Sequence, residues 1–378
     1  MHAPETAARP LRILEVGGDA LFMRGAPEQT DFFWCGQSPP AYERLRLLTP
    51  PRLVRRLLDL RAGRYDLLVV HAPQYAPWHP RSWLSALRDW GLRAPLGLFA
   101  LFAWRMLLRF HKTPIVAIDL GDSFGVGRHN FALSTVSRLF FKRELPADHW
   151  RVFYRTGHRD LPGARWRDKA ASRRLMQKLR PISYGAQTPP DAWTAPYVEF
   201  EKTADIFFAG RIEPNSTVRT AGLGELEQLA KEGYVVDAPT ERLPWRAFLA
   251  RLSSAWLVWS PEGLGWDCSR HYEAPLFGSV PLMNYPTILR HRPLADGEHC
   301  FLYPIEPGGL ASAARAALAD KPRLRRMARA AHAHVQRHHS WRARAEYVTE
   351  SVLGQRLDGS PSDPERSAAE GVLQPFDL

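Results

Sequence analysis

Along the chain, short uninterrupted apolar runs alternate with stretches whose apolar residues recur at helical spacing. Residues 11–16, 65–70, 114–118, 205–209, 234–237, 256–259, 280–283, 286–289 and 299–303 are expected to be strands. Several are apolar at successive positions, as in strands covered on both faces of a parallel sheet. Between them, residues 50–60, 223–232 and 244–253 are expected to be helices, and so is 309–339, interrupted at Pro322. A last helix is expected to begin near Trp341 and run to Val352. In 50–60 the leucines Leu53, Leu57, Leu58 and Leu60 are assigned to the core and the arginines to a solvated face. Strand followed by helix, repeated twice over, is the order of an α/β protein with parallel sheets. Residues 96–108 break the rhythm: thirteen residues, apolar except for Arg105, too few to span a bilayer as a helix. Two readings stay open, a buried helix or an interfacial one with Arg93, Arg109 and Lys112 at the headgroups.

Glycines and charged residues gather where these strands end, the edge at which α/β sheets hold ligands. After 256–259, Gly263 and Gly265 leave a loop whose N–H groups can approach a phosphate closely. Asp267 or Ser269 is expected to cap the next helix, whose N-terminal N–H groups then face the same anion. Ser269 and Glu273 share a helical face, so the carboxylate lies one turn from the phosphate end, where ribose hydroxyls need an acceptor. The plain alternative is that Glu273 is solvated or ion-paired. Gly278 should end that helix. Gly210-Arg211 follows the strand at 205–209, and Arg211 and Arg219 are candidate fork-shaped donors to a diphosphate, or else surface charges. In the first half, Asp119 and Asp122 follow the strand at 114–118. Asp122 and then His129 are the candidate acid or base for an acceptor hydroxyl, with loop-holding as the competing role for the aspartates. Gly17-Gly18 and His71 also lie at strand ends.

Trp266, Asp267, Arg270, Glu273, Ala274, Gly278 and Pro281 resemble a motif of nucleotide-sugar glycosyltransferases of the GT-B type, closest to the exostosin-like and spore-maturation-type proteins. Phe140-Phe-Lys-Arg-Glu-Leu145 and Arg180-Pro-Ile-Ser-Tyr-Gly185 extend the resemblance over about 115–352. It implies an α/β fold of two Rossmann-like domains facing a cleft. It places Glu273 on the donor ribose, and Gly263, Gly265, Asp267, Ser269 and Arg270 near the diphosphate or sugar, with basic residues around Arg211 on the diphosphate. No metal and no cofactor beyond the donor substrate are implied. The commonest retaining pattern has a second Glu where this chain has Gly265, so retention or inversion stays open.

Length adds a division: 378 residues suit two domains. We place them at 1–187 for the acceptor and 202–355 for the nucleotide sugar, with a linker at 188–201 and a disordered tail at 356–378 rich in Ser, Pro, Asp and Glu. Three cysteines, Cys35, Cys268 and Cys300, form no paired motif, and the first ten residues are polar, which together suggest the cytoplasm. The net charge of +12 asks for an anionic partner. Ten basic residues against two acids in 151–180 add a candidate patch for an anionic acceptor or for peripheral contact with the inner membrane leaflet, the default being a solvated helix face. No nucleic-acid module is present. His332, His334, His338 and His339 do not fall on one helical face as metal ligands would, so they are expected to be solvated. Two functions remain: a metal-independent glycosyltransferase acting on a glycan, lipid-linked or protein acceptor, and a non-catalytic nucleotide-sugar or polyanion-binding protein of the same fold.

Overall fold

A computed structural model describes residues 9–34, 46, 50–73, 113–127, 130–153, 170–186, 188, 190–212 and 217–362. They fall into two compact units. The first draws on 1–157, 162–182 and 341–378, the second essentially on Ser183–Ser340.

The first unit is a six-stranded parallel sheet in the order β2-β1-β3-β4-β5-β6. In sequence it runs β1 (Ile13–Gly17), α1 (Leu21–Gly25), β2 (Thr30–Trp34), α2 (Pro50–Arg61), β3 (Leu67–His71), β4 (Ile115–Asp119), α3 (Phe131–Val136), β5 (Leu139–Lys142), α4 (Ala170–Lys178) and β6 (Leu179–Pro181). Every residue of β1, β3 and β4 is buried, which is why these strands are apolar without alternation. On α2 the inward residues are Leu53, Leu57 and Leu60, spaced by four and three. Leu58 points out at 61% exposure, which corrects the expectation for it. Arg56 does not lie on a solvated face either; its guanidinium bonds the Tyr65 hydroxyl and lies 3.0 Å from Asp31 Oδ2.

The second unit is a five-stranded parallel sheet in the order β11-β10-β9-β7-β8. It runs β7 (Ala204–Phe207), α5 (Thr217–Lys231), β8 (Val236–Asp237), α6 (Trp245–Ser253), β9 (Ala255–Trp259), α7 (Arg270–Leu276), β10 (Val280–Asn284), β11 (Phe301–Tyr303), α8 (Gly309–Leu318) and α9 (Lys321–His339). Residues 286–289 are not a strand; Pro286 opens a loop whose Ile288 and Leu289 still pack inward.

After α9 the chain returns to the first unit as α10 (Trp341–Leu353). Trp341, Ala345, Val348 and Val352 share one core with Leu21 and Phe22 of α1 and with Ile13, Leu67 and Val116 of the sheet. Gly25 lets the two helices meet: a Cβ there would stand 2.6 Å from the Trp341 carbonyl oxygen. Residues 355–362 then form a turn fixed to this unit, the Leu357 carbonyl accepting from Leu11 N at 3.0 Å and Gln29 Nε2 at 2.9 Å. The rest of the expected tail, the apolar segment 96–108, Cys35, His129 and residues 154–169 of the basic run lie outside the described residues. Among the described residues no helix is long and apolar enough to cross a membrane.

Both sheets contain a reversal of strand order. The chain goes from β7 outward to β8, then crosses back to β9 on the other side of β7, so the loops after β7 and β9 part in opposite directions. A crevice at the carboxyl ends of two such strands is the ligand site of open α/β sheets. In the first sheet the corresponding pair is β1 and β3.

Candidate functional site

The loop after β9 is pinned to the end of β10. Ser260 N donates to Leu282 O at 2.8 Å, and Glu262 N to Asn284 Oδ1 at 2.9 Å. Asn284 Nδ2 donates back to Glu262 Oε2 at 3.2 Å, and the Trp266 indole N–H to Asn284 O at 3.1 Å. One buried side chain, Asn284, thus holds both the backbone and the carboxylate of Glu262. Burial pushes the Glu262 carboxyl up from its ordinary value, and the Asn284 bond and the charge of Arg219 offset only part of that.

Two arginines clasp this loop to the loop after β7, each rooted near one and reaching the other. Arg219, in the first turn of α5, donates from Nε to Glu262 O at 3.0 Å and from Nη1 to Arg211 O at 2.5 Å. Arg270, at the start of α7, donates from Nη1 to Ala209 O at 2.5 Å, its guanidinium 5.5 Å from the centre of the Phe208 ring. Each guanidinium occupies space that a side chain would otherwise fill: a Cβ on Gly263 would lie 2.5 Å from Arg219 Nη2, and one on Gly210 2.5 Å from Arg270 Nη1. The glycines at 210 and 263 therefore give room to cations. Two planar forks at a strand-order reversal are chemically able to donate to an anion.

The other residues singled out on this unit fall as follows. Arg211 is exposed on the loop after β7, with its carbonyl taken by Arg219. Gly265 lies in the bend of the loop after β9, its carbonyl accepting from Gly263 N at 2.9 Å. Ser269 stands at the N-cap of α7 but makes no capping bond through its side chain, contrary to one of the two capping options; its carbonyl accepts from Tyr272 N and Glu273 N. Asp267 is buried, with Oδ2 accepting from Tyr184 N at 2.6 Å and Oδ1 from the Tyr272 hydroxyl at 2.7 Å. Glu273 is buried in the first turn of α7, and Gly278, at φ +76°, follows the end of that helix.

At the first sheet's reversal, Glu15 and His71 form a buried pair, Nε2 to Oε1 at 2.7 Å. Glu15 also accepts from Phe22 N and Met23 N at 3.0 and 2.8 Å. Burial pulls His71 toward its neutral form, but the Glu15 bond and charge outweigh it and raise the imidazole above its ordinary value. Gly17 is needed beside it, since a Cβ there would stand 2.4 Å from that of His71. Asp119 Oδ1 accepts from Gly121 N at 3.0 Å and Oδ2 from the buried Lys142 Nζ at 2.9 Å, which is loop-holding. Asp122, 35% exposed, accepts from Arg143 Nη1 at 2.7 Å.

The histidines of α9 are not a solvated set. His332 and His339 are buried on the helix face that also carries Leu324, Ala328 and Val335. His339 Nε2 and His334 Nε2 both meet the Arg292 carbonyl, at 2.8 and 2.9 Å, and the His334 ring packs 4.4 Å from His299 and 4.8 Å from His338. Burial, with neighbouring imidazoles, holds His339 well below its ordinary value; burial also lowers His334 and His299 and pushes His291 down to about 3. A depressed folded value means the neutral form supports the fold. That support is complete above the unfolded value near 6.5 and is lost as pH falls through 6.5 toward the folded values. His71, raised instead, acts in the opposite sense, so the cluster is read by difference: the fall in urea midpoint from pH 7.5 to 5.5 is expected to be smaller in His334→Gln than in the wild type, and an equal fall would show that His334 charges freely. Among the described residues no group of three or more His, Cys, Asp or Glu side chains has metal-site geometry.

Sequence reasoning missed Asn284, and its position as the last residue of an otherwise apolar strand was the available signal. A family model described as glycosyl transferase-like matches residues 263–350, the stretch that starts in the glycine loop and carries α7. Among solved structures, a glycosyltransferase from Rickettsia africae ESF-5 is similar in fold, with a TM-score of 0.51 at 8% identity over 91% of this chain and 99% of that one. Weaker likenesses include Anabaena Alr3699/HepE in complex with UDP (TM-score 0.47, 13% identity, 90% and 99% coverage). Another is an alpha,alpha-trehalose-phosphate synthase (UDP-forming) from Burkholderia vietnamiensis (0.48, 11%, 90% and 98%). No curated protein matches the chain.

Proposed function

We propose that this chain is a glycosyltransferase that moves a sugar from a nucleoside-diphosphate donor, held on the second unit, to an acceptor hydroxyl. The observation that carries the proposal is the reciprocal clasp of Arg219 and Arg270 across the loops after β7 and β9, with Gly210 and Gly263 making room for both guanidiniums. As the glycosidic bond breaks, negative charge grows on the leaving diphosphate. Fixed donors aimed there stabilise the transition state more than the ground state, because they need not reorganise as the charge appears. Arg211, on the same loop, is proposed as a third cation for the diphosphate, Gly265 and Ser269 as part of its cradle, and Asp267 as the support that fixes the loop. Glu273 is proposed to accept from the ribose hydroxyls.

On the acceptor side Asp122 is our first candidate base, oriented by Arg143, and His129 our second. Phe140-Phe-Lys-Arg-Glu-Leu145 and Arg180-Pro-Ile-Ser-Tyr-Gly185 support placing the chain near the exostosin-like and spore-maturation-type glycosyltransferases. The basic run 151–180 favours an anionic acceptor or leaflet.

The test is a thermal-shift panel of nucleoside diphosphates followed by a donor hydrolysis or transfer assay. Stabilisation with turnover is the expected result. Stabilisation without turnover would leave a binding protein of the same fold, and no response to any nucleotide would sink both. Glu273→Ala should lose about 1.5–3 kcal/mol of donor affinity per bond to ribose, a weakening of about tenfold or more, with the diphosphate contacts intact. Equal nucleotide affinity in a folded Glu273→Ala protein would remove the ribose role.

A further inference from the structure

Three polar side chains of the second unit form a closed cluster that the proposed transfer does not use. Ser260 follows β9, Cys268 precedes α7 by two residues, and His271 lies in the first turn of α7. His271 Nε2 is 2.9 Å from the Trp266 carbonyl oxygen, so Nε2 must carry a proton and donate it. Nδ1 then faces the other two groups, 2.8 Å from Ser260 Oγ and 3.6 Å from Cys268 Sγ, with Oγ and Sγ 3.3 Å apart. Two proton arrangements satisfy all three groups: a neutral set, in which the thiol donates to the serine oxygen and the serine hydroxyl to Nδ1, and an ionised set, in which Nδ1–H donates to the serine oxygen and the serine hydroxyl to the thiolate sulfur. Arg270, next in the chain to the cluster, adds a positive charge, while Asp267 favours the charged imidazole.

We propose that Cys268 is a reactive thiolate, paired with the His271 imidazolium through Ser260, and a site of oxidation by hydroperoxides. In the reaction the sulfur attacks one peroxide oxygen, an S–O bond forms and the O–O bond breaks. Sulfur loses two electrons, the peroxide gains them, and the departing hydroxide or alkoxide takes a proton, leaving a cysteine sulfenic acid. The environment agrees with this. Burial alone would raise the thiol, but His271, Arg270 and the Ser260 hydrogen bond outweigh it and hold Cys268 well below its ordinary value. Burial likewise opposes the His271 charge, and Cys268 and Asp267 raise it in return. The same chain contains its own control. Cys300 is wholly buried, with its sulfur 3.6 and 3.5 Å from the carbonyl oxygens of Leu294 and Ala295, and burial pushes its thiol up. Cys268 is partly exposed. A partly exposed residue whose sulfur lies beside cations is the setting of reactive cysteines; a sealed one among carbonyls is inert. The site stands on thiol chemistry and does not need the donor reading.

The test uses the full chain. Hydrogen peroxide at pH 7 with dimedone present, followed by peptide mass mapping, should give the sulfenic-acid adduct on Cys268 and none on Cys300. Iodoacetamide should alkylate Cys268 at least about tenfold faster than Cys300 at pH 7, with a pH midpoint well below the ~8.5 of a free thiol. His271→Gln should return that midpoint to the ordinary range. If that variant does not fold, Ser260→Ala should move it in the same direction, and the wild-type profile stands by itself in either case. An ordinary midpoint in the wild type, labelling of Cys268 no faster than of Cys300, or an unchanged midpoint in a folded His271→Gln protein would each overturn the proposal.

Discussion

Arg219→Ala is expected to lower kcat/KM for sugar transfer by about 10²–10³-fold, the usual cost of removing one fixed donor from a developing negative charge. The guanidinium is half-buried and held by two backbone carbonyls, Arg211 O and Glu262 O, so its position is set before any ligand arrives. The loss should fall on kcat more than on KM, since the charge that Arg219 answers is larger in the transition state. Arg219→Lys should recover only part of the rate, because an ammonium cannot donate to two loops in the plane of a fork. Affinities for a nucleoside diphosphate and its bare nucleoside, measured beside turnover, separate the outcomes. Wild-type rates in Arg219→Ala, or equal loss of nucleoside and diphosphate binding, would mean that the phosphate site lies elsewhere.

Gly222→Ala is expected to be the most damaging small substitution on α5. A Cβ at 222 would lie 2.2 Å from Trp259 Cζ2 and 2.5 Å from Cη2, with Leu310 Cδ2 at 3.2 Å. The indole has nowhere to go: it is fully buried, its N–H bonds the Tyr303 hydroxyl at 2.8 Å, and its ring lies 4.4 Å from that of Phe208. Overpacking of this kind costs about 1–3 kcal/mol. Gly224, two residues along the same helix, has nothing within 4 Å of its Cβ position, so Gly224→Ala should stabilise by up to about 1 kcal/mol through helix propensity. Urea melts of the two variants decide the matter, and matching shifts would show that helix propensity, not the indole, governs both.

What the sequence made legible was what local pattern determines. The strands β3, β4, β9 and β10 are buried along their length and so stand out as apolar runs, and Gly278 ends α7 at the positive φ that its residue type suggests. Strand β2 was missed because it opens with Thr30 and Asp31, and Asp31 finds its partners in Arg56 and Tyr65, far along the chain. The glycine loop was visible as a loop, but not that Gly210 and Gly263 make space for arginines 60 and 44 residues away from them. Asp267 was legible only as a cap or a residue near the diphosphate, because its partners Tyr184 and Tyr272 come from tertiary packing. The histidines of α9 were different, because a signal existed: positions 324, 328, 332, 335 and 339 repeat at spacings of four and three, so His332 and His339 continue an apolar face.

The return of α10 to the first unit sets an order of events during synthesis. The sheet of that unit is complete in sequence at Pro181, yet the helix that covers α1 ends only at Leu353. At ~5–20 residues per second, the ribosome makes the intervening chain in roughly 10–35 s. Throughout that interval Leu21, Phe22 and Gly25 have no Trp341, Ala345 or Val348 to pack against, while the second unit, nearly continuous in sequence from Ser183 to Ser340, emerges whole. The unit that begins first is thus finished last. A nascent chain stalled before Trp341 should present an uncovered apolar face that a holdase chaperone would recognise, and one stalled beyond the helix should not.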